Sequence, residues 1–484
     1  MTDILERFLQ QCHQRPDHAA VVESGQIYRY GELQQWVMGW AAALAQFGID
    51  HPRVLIHLPA GAQAYAAMLA TAASGGYYAP TNTAAPLQRQ QQVASQFDPD
   101  VIITTASLRS TLTVELPALK GWIDCNAPLP PPLADPRPSH DLVYILFTSG
   151  STGIPKGVMI PRSGLNHYIA WALQAMAVTP DDRWSQHPNI AFDLSVLDIY
   201  GALCGGATLF PLTTPQDRLM PALAIRRHAL TIWNSVPSVL DLMLQSRQLT
   251  SNHLASLRLA TFCGEPLLPH HVEALFAARP DIRLHNTYGP TEATVSCTLL
   301  CLDRNNHQQA TRSTLAIGEA IEGMGIHLMD HGELVITGPQ LARGYWRNPQ
   351  ESTRAFRSLW LDGVEQPAYF TGDCCERIDG HIYFRHRLDH QVKIHGHRLE
   401  LDEVSHAIRC LGFSAACCGV VEGELHAFIE TADALDHDQL RQSLRQILPD
   451  YAIPKGFHAR KSLPRNSNDK IDLKALIASL TASP

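Results

Sequence analysis

Apolar and polar positions along the chain follow the pattern of an α/β protein. Helical spacing predicts helices over residues 4–14 and 30–47, with a short strand pair between them over residues 19–30. Further apolar runs predict strands over residues 53–58, 101–104, 142–147, 207–212, 230–234, 257–262 and 282–285. Because helical or turn-rich segments separate these strands, we expect a large layered core of mixed or parallel sheets covered by helices.

Two segments divide this pattern. Residues 127–140 contain six prolines and predict a surface connector without regular structure. Beyond Asp389 the run VKIHGHRLE alternates like a hairpin, and two helical segments with a strand between them follow. We therefore predict a core over residues 1–388 and a small α+β C-terminal lid domain over residues 389–484.

Composition excludes several classes of protein. A net charge of −8 without a basic block argues against nucleic acid as a partner. The most apolar stretch, residues 65–80, is interrupted by Gly75 and Gly76 and is shorter than the ~20 residues of a membrane helix, so we expect no membrane partner. The eleven cysteines include no CxxC pair, and charged residues occupy the N-terminus, which predicts a reduced, cytoplasmic protein.

The segment LFTSGSTGIPKGV has the composition of a phosphate-binding loop. Glycine lets backbone N–H groups approach an anion, hydroxyls can donate to phosphate oxygens, and one lysine adds positive charge. The order of residues is not that of a Walker loop, because Pro155 precedes the lysine and Gly157 follows it. The candidate phosphate ligands are Thr148, Ser149, Gly150, Ser151, Thr152, Gly153 and Lys156.

This loop resembles the signature of the adenylate-forming (ANL) superfamily, which includes acyl-CoA synthetases and nonribosomal peptide synthetase adenylation domains. Six further motifs follow in that superfamily's order: NTYGPTEATV, GELVITGPQLARGYW, YFTGD, RLDHQVKIHGHRLELDEV, LPDYAIP and NDKID. The resemblance covers almost the whole chain. It implies an AMP-forming ligase that uses ATP and Mg²⁺.

The resemblance also implies roles for residues that follow the loop. Asn286, Tyr288, Gly289 and Thr291 would lie around the nucleotide, and Glu292 would hold the metal, a role that suits a carboxylate beside a triphosphate. Asp373 and Arg387 would bind the ribose, Lys470 would be catalytic, and Asp389 would be the hinge of the lid. The chain departs from the usual motifs at His386 and Asp469, where glycine is common.

An acid in an apolar segment indicates the class of substrate. Asp193 lies in NIAFDLSVLDIYGAL, and a buried carboxylate is costly unless a cation pairs with it. In amino-acid-activating members of the superfamily, an Asp here faces the substrate α-ammonium. Mapping that pocket onto this chain gives Asp193, Leu194, Leu197, Asn234, Thr261, Cys263, Thr287, Val295, Ser296 and Lys470.

Apart from Asp193 and Lys470, the predicted pocket is lined by uncharged residues, which disfavours a charged substrate side chain. Leu194 and Leu197 narrow it, so we expect a small neutral amino acid. Leu194 and Leu197, together with Val295, resemble the pocket residues of proline-activating ligases. The hydroxyls of Thr261, Thr287 and Ser296 and the amide of Asn234 instead suit threonine, serine or cysteine. Alanine is the next candidate.

Few residues follow the predicted catalytic lysine, so we expect no fused carrier domain. The resemblance therefore implies a freestanding enzyme of nonribosomal-peptide or antibiotic biosynthesis, which passes an aminoacyl group to the phosphopantetheine thiol of a separate carrier protein. Two alternatives remain: a D-alanine carrier-protein ligase, and an acyl-CoA synthetase of a non-amino acid, which would have no use for Asp193.

Overall fold

The structure, a computed structural model, describes residues 2–150, 154–389, 391–394, 396–465 and 471–481. The strands in the described residues are β1 Ala19–Glu23, β2 Gln26–Arg29, β3 Arg53–His57, β4 Tyr77–Pro80, β5 Val101–Thr104, β6 Gly121–Asp124, β7 Leu142–Thr148, β8 Lys156–Pro161, β9 Arg183–Gln186, β10 Thr208–Pro211, β11 Ile232–Ser235, β12 Leu259–Phe262, β13 Arg283–Tyr288, β14 Thr298–Leu302, β15 Glu319–Ala320, β16 Gly325–Leu328, β17 Glu333–Thr337, β18 Phe356–Leu361, β19 Val364–Ile378, β20 His381–Arg387, β21 Gln391–Ile394, β22 His397–Glu400, β23 Ala416–Val421, β24 Glu424–Glu430 and β25 Gly456–Arg460.

The helices in the same ranges are α1 Ile4–Gln14, α2 Tyr30–Ala45, α3 Ala62–Ala73, α4 Leu87–Phe97, α5 Ala106–Arg109, α6 Arg162–Ala175, α7 Leu194–Gly205, α8 Pro215–Leu219, α9 Pro221–Arg227, α10 Ser238–Gln245, α11 Pro269–Ala278, α12 Pro349–Ala355, α13 Leu401–Cys410, α14 His437–Leu444 and α15 Leu473–Thr481. Short 3₁₀ turns cover Thr291–Ala293, His307–Ala310 and Asp450–Ala452. Within the described ranges, no helix is both long and apolar enough to cross a membrane.

The first helix shows why local sequence was sufficient to predict it. Asp3 caps α1 by accepting a hydrogen bond from the backbone N–H of Leu5 at 2.9 Å, and Glu6 accepts one from the backbone N–H of Asp3. Its apolar residues recur at helical spacing and are buried: Ile4, Leu5, Phe8 and Cys12. The predicted range of 4–14 matches the observed helix.

Two large sheets form the layered core. One has six strands in the order β6-β5-β3-β4-β7-β8 and is parallel except at β7–β8. The other has nine strands in the order β15-β14-β13-β12-β11-β9-β10-β1-β2, parallel from β13 to β1 and antiparallel at both edges. The predicted α/β class, with mixed and parallel sheets covered by helices, is confirmed.

A third sheet of the core is antiparallel, and the sequence pattern did not predict its strands. It has the order β16-β17-β19-β18, with β20 paired to β19. Several of its strands leave most side chains partly or fully exposed, so they lack the apolar runs that identify the other sheets. The β19–β20 register places Asp373 opposite Arg387.

The residues after Asp389 form a small α+β unit. The hairpin β21–β22 precedes α13, and the three-stranded sheet β23-β24-β25 packs with the last helices. Apolar residues of these elements form a separate cluster that includes Ile394, Val404 and Phe457. The elements follow the predicted pattern, and the boundary at residue 389 stays a prediction.

Candidate active site

Predicted site residues from distant parts of the chain meet where strands of the two large sheets end. Thr148 is the last residue of β7, and a cavity of about 110 Å³ beside it is also lined by Asp193 and Thr291. Asn234 and Asn286 lie on the parallel strands β11 and β13. Ligand sites in open α/β sheets form beyond the carboxyl ends of such strands.

In the described part of the phosphate loop, the backbone of Gly150 lies close to that of Ile154. A side chain at Gly150 would place Cβ 2.1 Å from the carbonyl oxygen of Ile154, so this position requires glycine. The hydroxyl of Ser149 donates to the carbonyl of Arg398 at 2.7 Å. Lys156 lies opposite Thr148 in the β7–β8 register, and burial lowers the pKa of its ammonium group.

Three residues of this loop, Ser151, Thr152 and Gly153, lie outside the described residues, as does the predicted catalytic Lys470. The neighbouring departure at Asp469 lies outside them too. The other departure, His386, is exposed on β20, and its Nδ1 lies 3.0 Å from the carbonyl oxygen of Arg387. The roles of these residues stay predictions.

Asn286 and Tyr288, which are predicted to lie around the nucleotide, line a narrow cavity of about 50 Å³. Its walls include Asn286, Thr287, Tyr288 and, from the lid hairpin, Lys393. The Asn286 amide donates to the carbonyl of Ala316 at 2.8 Å. At Gly289, a side-chain Cβ would lie 2.4 Å from the Cα of Ser296, which explains the glycine in the turn after β13.

Asp373 is the centre of a buried polar group beside this cavity. The hydroxyl of Tyr288 donates to Asp373 at 2.5 Å, and the guanidinium of Arg387 donates to its other oxygen at 2.5 Å. Arg387 also donates to both oxygens of Asp389, at 2.6 and 2.7 Å. Hydrogen bonds from Arg387 therefore connect Asp373, its predicted partner at the ribose, to Asp389, the predicted hinge residue.

Glu292, the predicted metal ligand, is completely buried and paired with a residue of the lid. Nη1 of Arg398 lies 3.0 and 2.8 Å from its two carboxylate oxygens, and the hydroxyl of Tyr345 donates to it at 2.8 Å. Burial alone would raise the pKa of this carboxyl. The positive charges of Arg398 and Lys156 outweigh it and hold the pKa at about 2. Glu292 is therefore ionised at neutral pH.

Asp193 is buried at the start of α7, on the wall of the 110 Å³ cavity. The hydroxyl of Thr291 donates to it at 2.6 Å, and no described Lys or Arg lies close enough to form an ion pair with it. Burial raises the pKa of the Asp193 carboxyl to about 6, although the Thr291 hydrogen bond and the charge of Lys393 act against the rise. The carboxylate is therefore available to a cation that enters the cavity.

The other predicted pocket residues are buried on the elements that surround Asp193. Leu194 and Leu197 lie on α7, Asn234 on β11 and Thr261 on β12; Cys263, Thr287, Val295 and Ser296 lie on or beside β12 and β13. Val295 has a φ of 70°, which is unusual for a β-branched residue and indicates a backbone held by its surroundings.

Several polar contacts hold the lid hairpin against the core. The backbone N–H of Gly396 donates to Glu265 at 2.5 Å, in addition to the Arg398 contacts with Glu292 and Ser149. On the wall of the 110 Å³ cavity, Arg89 of α4 pairs with Glu403 of α13 at 2.9 Å, and both side chains are largely buried. The hairpin therefore lies at the predicted phosphate loop in this structure.

A groove between core and lid leads towards the inner cavity. It has a volume of about 470 Å³, and its lining includes Arg218 from the core and Arg445 from the lid. Phe192, His397 and Tyr451 line both the groove and the 110 Å³ cavity. The rings of His397 and Tyr451 stack with centroids 3.9 Å apart, so a parallel aromatic pair lies where the two spaces meet.

Sequence reasoning missed the partners that come from the lid. Arg398 and Glu292 are 106 positions apart, and nothing in either motif indicates that they meet. Glu265, Arg89 and Glu403 likewise occupy ordinary polar positions in the sequence. Among these residues, only Glu403 has a sequence pattern that indicates a contact. It falls on the apolar face of the amphipathic helix α13, whereas the other charged residues of that helix lie on the exposed face.

The fold and the clustered residues define an enzyme of the adenylate-forming class. Residues 8–346 match the family described as AMP-binding enzyme. The chain belongs to this family, and the resemblance inferred from the motifs is confirmed. Membership supports the use of ATP.

Relatives cover nearly the full length of the chain. An L-proline–[L-prolyl-carrier protein] ligase of Pseudomonas fluorescens is 32% identical, with 97% of this chain and 98% of the relative covered. A D-alanine–D-alanyl carrier protein ligase of Listeria monocytogenes is 28% identical, with 98% of each covered. The crystal structure of the Vibrio cholerae adenylation domain AlmE in complex with glycyl-adenosine-5'-phosphate is similar at a TM-score of 0.84 and 27% identity, covering 99% of this chain and 98% of that one.

Proposed function

We propose that this enzyme is an amino acid–[carrier protein] ligase. In the first step, a carboxylate oxygen of the amino acid attacks the α-phosphorus of ATP, and the bond to pyrophosphate breaks to leave aminoacyl-AMP. In the second step, the phosphopantetheine thiol of a separate carrier protein bonds to the aminoacyl carbonyl carbon, the bond to AMP breaks, and the thiol proton passes to water.

The observation that carries this proposal is the buried carboxylate of Asp193 beside the phosphate loop. It shares a cavity wall with Thr148 and Ser149, and its hydrogen bond comes from a neutral hydroxyl. An amino acid whose α-ammonium pairs with Asp193 would place its carboxylate near the loop that binds phosphate. A buried carboxylate is costly without such a cation, and an acyl-CoA synthetase of a non-amino acid would not supply one.

The nucleotide would lie between the loop and the third sheet. The hydroxyls and glycines after Thr148, with Lys156, would bind the phosphates, Tyr288 and Asn286 would face the adenine, and Asp373 would bind the ribose hydroxyls. Lys470 would contact the carboxylate and phosphate oxygens as charge develops between them. Replacing this lysine by alanine should lower adenylation by roughly 10²–10³-fold.

Magnesium fits the donor set at Glu292. The carboxylate is ionised, fully buried and already compensated by a cation, so this position suits positive charge. Bound Mg²⁺ would neutralise charge on the phosphate oxygens of ATP. In the present lid position Arg398 donates to both oxygens of Glu292, so Arg398 must withdraw before the Glu292 carboxylate can hold a metal.

The position of the hairpin suits the second step. With Arg398 at the site, the groove between core and lid reaches the inner cavity past His397 and Tyr451. A thin, flexible phosphopantetheine arm could follow this route. We propose that residues 389–484 rotate about Asp389 between the two steps, which would exchange Lys470 for the hairpin.

The proposed substrate is a small neutral amino acid, with L-proline, threonine, serine and cysteine as candidates and alanine next. D-alanine is a second candidate, because one relative is named for it. The proposed site of action is the cytoplasm, where ATP is available and thiols are reduced; all eleven cysteines are free.

The test is ATP–pyrophosphate exchange with each amino acid in both stereoisomers, followed by mass measurement of candidate carrier proteins. Exchange with one amino acid and a matching mass increase on a carrier would support the proposal. Exchange confined to acids without an α-amino group would refute it.

The lid rotation has a separate test. Asp389→Pro removes freedom at the hinge, so it should spare exchange and impair carrier loading. Equal losses in both steps would argue against rotation about this residue.

A further inference from the structure

The polar side chains of the predicted amino acid pocket divide into two groups. The hydroxyl of Thr287 donates to the carbonyl of Phe262 at 3.1 Å, and the hydroxyl of Ser296 donates to the hydroxyl of Tyr168 at 3.1 Å. These two are satisfied by the protein itself. They therefore need nothing from a substrate.

Asn234 and Thr261 form the second group. Both are completely buried, and neither the Asn234 side-chain oxygen nor the Thr261 hydroxyl has a hydrogen-bond partner among the described residues. Native proteins rarely leave such groups unpaired, and a buried polar atom without a partner points to a missing ligand or water.

The orientation of the Asn234 amide is determined by its nitrogen. Nδ2 donates to the carbonyl of Leu194 at 3.3 Å and to the carboxylate of Asp198 at 3.1 Å. The Leu194 carbonyl can only accept, so exchanging the amide oxygen and nitrogen would lose that bond. The unpaired atom is therefore an acceptor, and it requires a donor.

Strand register brings the two unpaired groups together. Asn234 and Thr261 are directly paired positions on the parallel strands β11 and β12, so their side chains project from the same face of the sheet. That face is covered by α7, because Asn234 donates to the carbonyl of Leu194. Leu194 directly follows Asp193, so both groups lie close to the proposed ammonium site.

We propose that Asn234 and Thr261 recognise a side-chain hydroxyl of the substrate, which makes the substrate serine or threonine. The hydroxyl donates to the Asn234 oxygen and exchanges a hydrogen bond with the Thr261 hydroxyl, which satisfies both buried groups. This inference rests on the proposed function and selects among its candidate amino acids.

The other candidates leave the pair unsatisfied. Proline, alanine and valine have no side-chain donor, and the thiol of cysteine is a weak one. Leu194 and Leu197, both buried on α7, are the residues predicted to narrow the pocket, which favours a short side chain. A site built around a hydroxyl rejects an analogue that lacks it by a large factor, because its own polar groups are then left unpaired.

The experiment compares matched substrates in ATP–pyrophosphate exchange. Threonine and valine are nearly isosteric, as are serine and cysteine, and alanine, proline and ornithine complete the panel. We expect kcat/KM for threonine to exceed that for valine, or kcat/KM for serine to exceed that for alanine, by roughly 10²–10⁴-fold. A preference for proline, alanine, valine, cysteine or ornithine overturns the inference while the proposed function stands. Exchange with no amino acid defeats both.

Variants test whether the two residues carry the preference. Thr261→Val and Asn234→Leu should each reduce the ratio of hydroxylated to apolar substrate by at least tenfold. The control is Thr287→Val, which removes a hydroxyl of the same kind that is already paired; it should leave the ratio within a few-fold, whatever it does to the rate. An unchanged ratio in Thr261→Val and Asn234→Leu would overturn the assignment.

A binding measurement keeps the inference testable if these variants fold poorly. Non-hydrolysable sulfamoyl adenylate analogues of threonine and valine can be compared on the wild-type enzyme by calorimetry. We expect the threonine analogue to bind at least 10²-fold more tightly. Equal affinities would overturn the inference.

Discussion

The proposed amino acid pocket and the core–lid contact are held together by different forces. The described residues of the pocket are apolar side chains, neutral polar groups and one carboxylate, all from the core. The lid hairpin and the helix α13 that follows it are instead held by charged and polar contacts, among them Arg398 with Glu292 and Arg89 with Glu403. Tight apolar packing suits a surface that must keep its shape.

Charged contacts suit a surface that must separate. A buried ion pair is costly to form from hydrated charges, so it contributes little net stability but penalises a wrong partner strongly. Under the proposed mechanism, the carboxylate of Glu292 would pair with Arg398 in one step and with a metal bound to the nucleotide in the other. The rigid core would then fix which amino acid binds, and the exchange of charged partners at Glu292 would control which step follows.

The largest expected effect comes from the carboxylate of Asp193. Asp193→Asn removes the proposed partner of the α-ammonium, so kcat/KM for the amino acid should fall roughly 10²–10³-fold, the scale of breaking a buried pair. The measurement is exchange with varied amino acid at saturating ATP. An equal change in the KM for ATP would show that Asp193 acts on the whole site rather than on the pocket.

Arg398→Met tests the charged side of the comparison. It leaves Glu292 buried without its cation in the present lid position, so carrier loading should fall about 100-fold relative to exchange. Parallel assays of exchange and loading give this ratio. The control is Arg385→Met on the exposed partner of Glu376, which should alter neither step. Equal losses of ATP–pyrophosphate exchange and carrier loading would show that Arg398 has no specific role in the loading step.

The pH dependence separates the two regions further. Under the proposed function, the α-ammonium would pair with ionised Asp193, whose pKa is raised to about 6 by burial, so amino acid binding should weaken as pH falls below 6. At pH 5, kcat/KM for the amino acid should be about tenfold below its plateau. Glu292, with a pKa of about 2, stays ionised throughout this range.

Exchange measured from pH 5 to 8 at saturating ATP checks this expectation. The KM for ATP, recorded at each pH, reveals any change that arises from the nucleotide instead. Asp193→Asn should show no such fall between pH 7 and 5. The same fall in that variant would assign the titration to another group.

The smallest effect is expected at the pair between Arg89 of the core and Glu403 of α13. Arg89→Met removes the partner of buried Glu403, so the present lid position should become less populated and loading should slow about threefold, with exchange retained. Loading kinetics with a purified carrier measure this. Arg354→Met, at an exposed pair with Glu351, is the matched control and should leave loading unchanged. An unchanged loading rate in Arg89→Met would show that this ion pair does not stabilise the present lid position.

Local sequence predicted the elements that local forces determine. The capped helix α1 and the buried strands β5 and β7 lie within a residue of their predicted bounds, because helical spacing and apolar runs are local signals. The antiparallel sheet around β19 was not predicted, since its strands are half exposed and stabilised by their neighbours. The phosphate loop and the residues around Glu292 were identified from short motifs whose chemistry is legible in sequence.

Residue type and local pattern were enough to predict the α/β class, the adenylate-forming motifs and the acid at Asp193. The fold alone shows that Arg398 meets Glu292 and that Arg89 meets Glu403. It also shows that the Asn234 oxygen and the Thr261 hydroxyl find no partner among the described residues, whereas the Thr287 and Ser296 hydroxyls do. The physical reason is that a hydrogen bond or ion pair depends on distance and angle between groups far apart in the chain. Residue type shows what a side chain can bind, and the fold decides whether the protein already supplies it.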